Sequence, residues 1–549
     1  SRKIFSVYQM AHRIGVAEVR WMVDNWPKLK SLYGVRYEDC DRELERNNED
    51  VEGDGSDDGN GGANEEPDAL VWLTENRPDI VIIHLMSDNT EPTSPKTSFK
   101  GSDLPPLEKD EPPKVLIVGA GLAGLYLGTF LEQAGIPYEI FERVAEIKPL
   151  VYEELLKVSK PCLKGTFYTG DMKVIAQLDT KDDVTGYGRL LFARPELYDI
   201  LIKRIPPHKL HMSKKMLSFQ QNREGVMLRF SDNTTVHGDV LVGADGAHSG
   251  VRQHLYKTLQ TQGLLPKSDT RSMHKGYISF VGTTIPLDPA KYPGLAQPDS
   301  VNSYHIGDSS MPYSWVTFTV PGNKICWNVV IQVKLADIED EQFRNSDWSR
   351  EENMKMLDKI RDFKTCYGPL GDIIDATPKD RISKVHFEDM LFETWHHGRT
   401  VLIGDAAHKL LPSTGQGAVN AMIDAVVLAN CLYDVKPTSY TNIKAALDDF
   451  REQRFDYIKE QYVHSHTNAM IQFGHTWSER IFRYVILNWL PKSIMFKQIV
   501  KDSAYRPQAN FMPQAPKRGT APVILQKPSK RIQDEEENAK NSTASSVAV

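Results

Sequence analysis

The feature that most constrains this chain is a short unit beginning at Val115. Val115 to Val118 is an apolar, largely β-branched run, and Gly119-Ala120-Gly121-Leu122-Ala123-Gly124 follows it directly. Leu122 to Ala134 has helical spacing, and Tyr138 to Phe141 is a second strand-like run ending at Glu142. Strand, helix and strand within about 30 residues make a βαβ unit. Gly119 permits the tight turn, Gly121 lets backbone approach a pyrophosphate, and Gly124 lets helix pack on strand. The helix N-terminus offers unpaired N–H groups and a positive dipole end. Glu142 is placed to accept hydrogen bonds from an adenosine ribose, and a carboxylate there disfavours a 2′-phosphate, although Arg143 follows. A glycine-rich turn alone says little; here the flanking elements and the carboxylate argue for a bound dinucleotide.

Two later motifs narrow the choice. Leu241-Val-Gly-Ala-Asp245-Gly246-Ala-His-Ser249 and Thr400-Val-Leu-Ile-Gly404-Asp405-Ala-Ala-His408 each set an acidic residue just past a buried strand. A carboxylate there points into the crevice where open α/β sheets bind ligands. Asp405 can accept from sugar-like hydroxyls; a helix-capping or turn aspartate is its plain alternative. Pro412 and Gly415-Gln416-Gly417-Ala418 then open another helix, whose N-terminus can stabilise the negative charge of a reduced flavin.

Between these motifs, Trp315 to Val320 and Ile325 to Val333 flank Pro321-Gly322-Asn323, predicting a hairpin in an antiparallel sheet. From Ile325 to Ile331 apolar residues alternate, giving one sheet face to a core or a pocket. Tyr277, Tyr304, Tyr313 and Trp315 read equally as packing residues. Ala418 to Leu432 and Ile443 to Met470 read as helices.

The ends differ. Val16 to Trp26 has a helical stripe, Glu38 to Asp68 is too polar to fold alone, and Ile80 to Met86 is a strand-like run without an evident partner. From about Pro507 the polar, Pro-rich composition predicts a disordered tail. No apolar run approaches the roughly 18 residues a membrane span needs. Ile481 to Val500 is the nearest, and its Arg483, Asn488, Pro491, Lys492 and Lys497 favour a packed helix pair over a helix on a membrane surface. Net charge is −7, without the basic footprint of a nucleic-acid binder. The 5 cysteines stand far apart with no CxxC, which argues against zinc and for a reducing, cytoplasmic setting. His396-His397 reads as a solvated loop pair, not a metal site.

Together, from about Pro113 to Pro507, these motifs resemble the class A flavoprotein monooxygenases, the p-hydroxybenzoate hydroxylase-like family. The likeness is greatest to fungal members near salicylate and kynurenine hydroxylases and meroterpenoid epoxidases. The resemblance implies an α/β fold: a Rossmann-like FAD-binding domain (111–260 plus 390–435), an inserted antiparallel substrate sheet (261–389) and C-terminal helices (436–506). Residues 1–110 are unassigned and 507–549 form the tail. Gly119, Gly121 and Gly124 would cradle the FAD diphosphate, with Glu142 and Arg143 at the ribose. Arg194 would contact FAD, Asp245 and Gly246 would serve FAD and the nicotinamide, and Gly404 and Asp405 the ribityl or diphosphate. Pro412, Gly415, Gly417 and Ala418 would line the isoalloxazine, and His408 would be structural. NADH or NADPH would reduce FAD, and dioxygen would supply one atom to an apolar or aromatic small molecule; no catalytic residue is assigned. Two rivals are a reductase of the same fold and a flavin-deficient scaffold. The sequence departs from the family at Val419, where asparagine is expected, and after Leu150, where about one strand and one helix are missing.

Overall fold

Four largely buried β-strands and two helices carry the loops on which the site is built. The computed structural model describes residues 31–33, 81–83, 108–144, 159–179, 184, 189–192, 197, 201–307, 312–332, 356–474, 476–490, 492–516 and 519–547. The chain divides into a unit of residues 1–103 and a unit of residues 104–549. In the first, Ser31–Tyr33 pairs in parallel with Val81–Ile83, so the Ile80 to Met86 run does hold a strand. The expected helix at Val16 to Trp26 and the acidic stretch Glu38 to Asp68 lie outside the described residues.

In the second unit, a six-stranded sheet runs in the order His396–His397, Thr400–Leu402, Val240–Gly243, Val115–Val118, Tyr138–Phe141 and Leu210–His211. All neighbours are parallel except the first pair. Val115–Val118, Val240–Gly243 and Thr400–Leu402 are buried throughout, as continuous apolar runs covered on both faces must be. Helices Leu122–Ala134 and Gln416–Tyr433 pack into the same core. A three-stranded meander, Met216–Gln221, Val226–Phe230 and Thr235–Gly238, lies beside it. Buried Arg399 ties the two together, donating to the carbonyls of Asn222 (3.0 Å), Asp239 (2.9 Å) and Arg223. His396 is not solvated: it is a strand residue facing Asp448 at 3.4 Å, and burial lowers its pKa to about 4. No metal-ligating cluster occurs among the described residues.

The second sheet has eight strands, in the order His408–Lys409, Ser383–Leu391, His274–Thr283, Lys324–Gln332, Tyr313–Val320, Asn302–Ile306, Lys164–Thr169 and Val174–Asp179. The hairpin falls where expected, with Val320 opposite Lys324. The range 261–389 is too narrow for this sheet, because Lys164–Thr169 joins it in parallel with Asn302–Ile306. Pairing across that separation leaves no local pattern.

The alternating face Ile325, Trp327 and Val329 packs with Trp315, Phe280, Leu370 and Ile373 into a closed core. It is therefore a core face. The opposite face carries Tyr277, Val330 and Phe387, which pack against Leu411, Ala469 and Phe473. His305 lies on the core side, 1% exposed, stacked on Trp315 at 5.3 Å with both ring nitrogens unpartnered. Burial lowers its pKa from the ordinary 6.5 to about 4. A depressed histidine pKa gives stability that is full above the unfolded value and is lost as pH falls toward the folded one. Between pH 6.5 and 4 its share should fall by on the order of 1.4 kcal/mol per pH unit. Urea unfolding of His305→Phe across that window should show a shallower acid loss than wild type; equal slopes would remove His305 as a cause.

Residues 508–510 and 529–530 are not part of a loose tail. Asn430 brackets it, donating to the Gln508 carbonyl (2.8 Å) and accepting from Asn510 N–H (2.9 Å). Asp434 accepts from Ser529 and from Lys530 N–H (3.0 Å) at the start of helix Lys530–Val547. A polar segment lacks a core of its own, but its backbone groups can pair with a helix already formed.

Candidate functional site

Three loops leave the C-terminal ends of three adjacent parallel strands. The first follows Val115–Val118. Gly119 has φ +105, and a Cβ there would lie 2.5 Å from the Ala244 carbonyl oxygen, so this loop and the Asp245 loop touch backbone to backbone. A Cβ on Gly124 would lie 2.0 Å from the Gly119 oxygen. Gly121 is the N-cap of Leu122–Ala134, with no side-chain cap for the first N–H groups. Glu142, past the neighbouring strand, accepts from Ala120 N–H (2.8 Å) and Val144 N–H (3.0 Å). Its carboxylate thus stands at the glycine turn, and the exposed Arg143 is beside it.

The second loop follows Val240–Gly243. Asp245 accepts from Ser249 Oγ (2.5 Å), Gly250 N–H (2.7 Å) and Val251 N–H (3.2 Å), capping helix Gly250–Thr261. Burial pushes its carboxyl above the usual range, against the lowering pull of these bonds. Gly246 (φ +83) leaves open space where a Cβ would stand. Arg252 joins this loop to the third, donating to the Ala247 carbonyl and to the Ala406 carbonyl (2.9 Å) while stacking on Phe392 at 4.1 Å. His248 Nε2 lies 3.0 Å from Glu388 of the eight-stranded sheet.

The third loop follows Thr400–Leu402. Gly404 passes between the helices, 3.1 Å from Ala421 Cβ and 3.3 Å from Ala123 Cβ measured from an added Cβ. Asp405 is half-buried and pairs with Lys409. The chain turns through Pro412–Thr414 to Gly415 (φ +67), the N-cap of Gln416–Tyr433. A Cβ on Gly415 or Gly417 would meet nothing within 4 Å, so bare backbone faces open space at this helix start. Ala418 is half-buried there.

Asp424 holds this loop from behind. It is fully buried and accepts from Gly404 N–H (2.9 Å), His408 Nε2 (2.6 Å) and Arg454 Nε (2.7 Å). Burial alone would raise the Asp424 carboxyl; His408 and Arg454 beside it hold it below the ordinary carboxylate value. Arg454 also donates to Asn420 Oδ1 (3.0 Å). Asn420 therefore faces the protein interior, while Val419 is 41% exposed. His408 has the structural place expected of it. Sequence reading missed Asp424 and Arg454. An acid inside the apolar stretch Ala421 to Leu432 is a signal of a partnered buried charge; Arg454, in a helix full of charges, carries none.

The structure thus gathers Gly119, Gly121, Gly124, Glu142, Asp245, Gly246, Gly404, Asp405, Pro412, Gly415, Gly417 and Ala418 around loops at the C-terminal end of the six-stranded sheet. Arg194 and the junction after Leu150 lie outside the described residues.

Residues 113–151 and 322–458 match the family model described as FAD binding domain. Among curated relatives, the FAD-dependent monooxygenase nvfK of Aspergillus novofumigatus is 28% identical over 442 residues, 74% of this chain and 90% of that protein. The FAD-dependent monooxygenase ptmM of Penicillium ochrochloron is 27% identical over 63% of this chain and 86% of its own. HpxO of Klebsiella pneumoniae, solved with FAD and uric acid, superposes with a TM-score of 0.55 at 20% identity, covering 71% of this chain and 96% of its own. 2,6-Dihydroxypyridine-3-hydroxylase of Arthrobacter nicotinovorans gives 0.54 at 17% identity, covering 68% and 95%. At these identities the solved structures show a shared fold. The chain is thus similar over most of its length to FAD-dependent monooxygenases, and part of it matches the FAD binding domain.

Proposed function

We propose that the chain uses NADH or NADPH and dioxygen to hydroxylate or epoxidise an apolar or aromatic small molecule at a bound FAD. The observation that carries this reading is the convergence of three ligand-type loops at the C-terminal end of one parallel sheet, with bare backbone at Gly246, Gly415 and Gly417 facing open space. That is room a flat cofactor can fill, and the close approach at Gly119 and Gly124 is what a diphosphate cradle requires.

Gly119, Gly121 and Gly124 would hold the diphosphate on the N–H groups of Leu122–Ala134. Glu142 would take the adenosine ribose, with Arg143 at its edge; Arg194 would add a cofactor contact. Asp405 and Gly404 would meet the ribityl chain or diphosphate, and Asp245 and Gly246 would keep the middle loop in place for both cofactors. Pro412, Gly415, Gly417 and Ala418 would line the ring, whose reduced charge the N-terminus of Gln416–Tyr433 would stabilise. FAD supplies the redox chemistry when bound; the chain's part is binding, orientation and exclusion of water. The sheet face with Tyr277, Val330 and Phe387 packs against Leu411 and Phe473, so the chain entering Pro412 stands on an apolar cluster. This apolar setting supports an apolar substrate.

The test is NAD(P)H oxidation stimulated by phenols, aryl acids and prenylated aromatics, with labelled dioxygen. Label in the product is expected. Oxidation with no label in any product selects a reductase, and a colourless chain that FAD cannot reconstitute selects a scaffold. In Asp405→Ala, FAD hydroxyls lose an acceptor, and retention should weaken by roughly 5- to 150-fold. Flavin fluorescence titration of well-folded variant and wild type checks this; equal affinities would move the site elsewhere.

A further inference from the structure

Helix Trp477–Asn488 is turned inside out for a water-soluble surface. Its one buried residue is Arg483, which donates to the carbonyls of Ile471 (3.2 Å) and Gly474 (2.8 Å) and fastens the helix to the end of Tyr440–Phe473. Its apolar stripe faces outward. Trp477 is 76% exposed, Ile481 56%, Tyr484 59% and Val485 44%, at positions i, i+4, i+7 and i+8 of one face. Trp489 at its end is 73% exposed, and Ile494 of the next helix, Lys492–Asp502, 49%. Surface helices of soluble proteins place such a stripe against the core. The packed pair expected from sequence thus holds for the fastening, not for the apolar face.

The charges lean the same way. From residue 476 to 502 the sequence holds Arg480, Arg483, Lys492, Lys497 and Lys501 against Glu479 and Asp502, in a chain of net charge −7. Glu479 is committed to a capping box, accepting from Thr476 N–H at 3.0 Å. Lys501 pairs with Glu460 at 2.8 Å, while Arg480 and Lys497 are exposed. No helix among the described residues is long and apolar enough to cross a membrane.

We propose that this face is a peripheral membrane-docking surface that lies on anionic phospholipid bilayers. Tryptophan and tyrosine suit the headgroup boundary, where the ring is buried and its polar edge stays wet. Arginine and lysine stems reach from the same boundary to lipid phosphates. An outward apolar stripe with a cationic flank is the form of a helix lying in the interface plane. The face delivers the chain to a surface where apolar compounds collect, and its binding is independent of any reaction.

The test is flotation of the FAD-loaded chain with vesicles of phosphatidylcholine alone or containing roughly 30% phosphatidylserine. Wild type should float with the mixed vesicles, less so as salt rises. Trp477→Gln combined with Trp489→Gln should lower binding at least about tenfold, with FAD content and circular dichroism unchanged, since both side chains are mostly in water. Arg480→Glu with Lys497→Glu should abolish the preference for phosphatidylserine. In the wild-type chain, brominated phosphatidylcholine mixed with phosphatidylserine should quench tryptophan fluorescence, a measurement that needs no variant. Absence of flotation and quenching, or undiminished binding in the tryptophan variant, overturns the proposal. So does a wild-type dimer that the tryptophan substitutions dissociate, which would give the face to a second copy.

Discussion

Asp424→Ala should lower the free energy of unfolding by about 3–5 kcal/mol and release FAD. The variant leaves the Arg454 guanidinium, which is 0% exposed, without its carboxylate, and breaking a buried pair by removing one partner costs this much. Gly404 N–H and His408 lose their acceptor at the same time. Urea unfolding followed by circular dichroism gives the stability, and free flavin after gel filtration gives the release. Asp424→Ala combined with Arg454→Met should recover part of the loss, because no uncompensated charge then remains. An unchanged midpoint in the single variant would show that the network does not hold the loop.

Gly124→Ala should be the more selective of two large effects. The added methyl would sit 2.0 Å from the Gly119 carbonyl oxygen, a backbone atom that moves only if the whole turn moves. Overpacking of this kind costs about 1–3 kcal/mol, and a displaced turn also loses the N–H geometry a diphosphate needs. FAD retention should fall below detection while the eight-stranded sheet stays folded. Gly417→Val gives the contrast: its side chain enters open space, so the flavin-free chain should unfold like wild type while FAD binding weakens. Isothermal titration with FAD alongside thermal unfolding separates the two. Retained FAD in Gly124→Ala, or destabilised apoprotein in Gly417→Val, would reverse the assignment of close and open positions.

The legible parts of this chain are those whose cause is local. The strands Val115–Val118 and Tyr138–Phe141 and the helix Leu122–Ala134 form where apolar period and glycine spacing put them, because each pattern reports burial within a few residues. The hairpin at Pro321-Gly322-Asn323 is legible for the same reason. Order of motifs along the chain was enough to give the resemblance. Other features were decided by contacts between distant segments. Only the fold shows that Ile325, Trp327 and Val329 face a closed core while Tyr277 and Val330 face the loop side, since alternation defines two faces without saying what covers either. Only the fold pairs Asp424 with Arg454, adds Lys164–Thr169 to a sheet built mostly from residues 274–332, and anchors 507–529 on Asn430 and Asp434. And only the fold turns Arg483 inward and Trp477 outward, because a helical period fixes which residues share a face but not which face meets water.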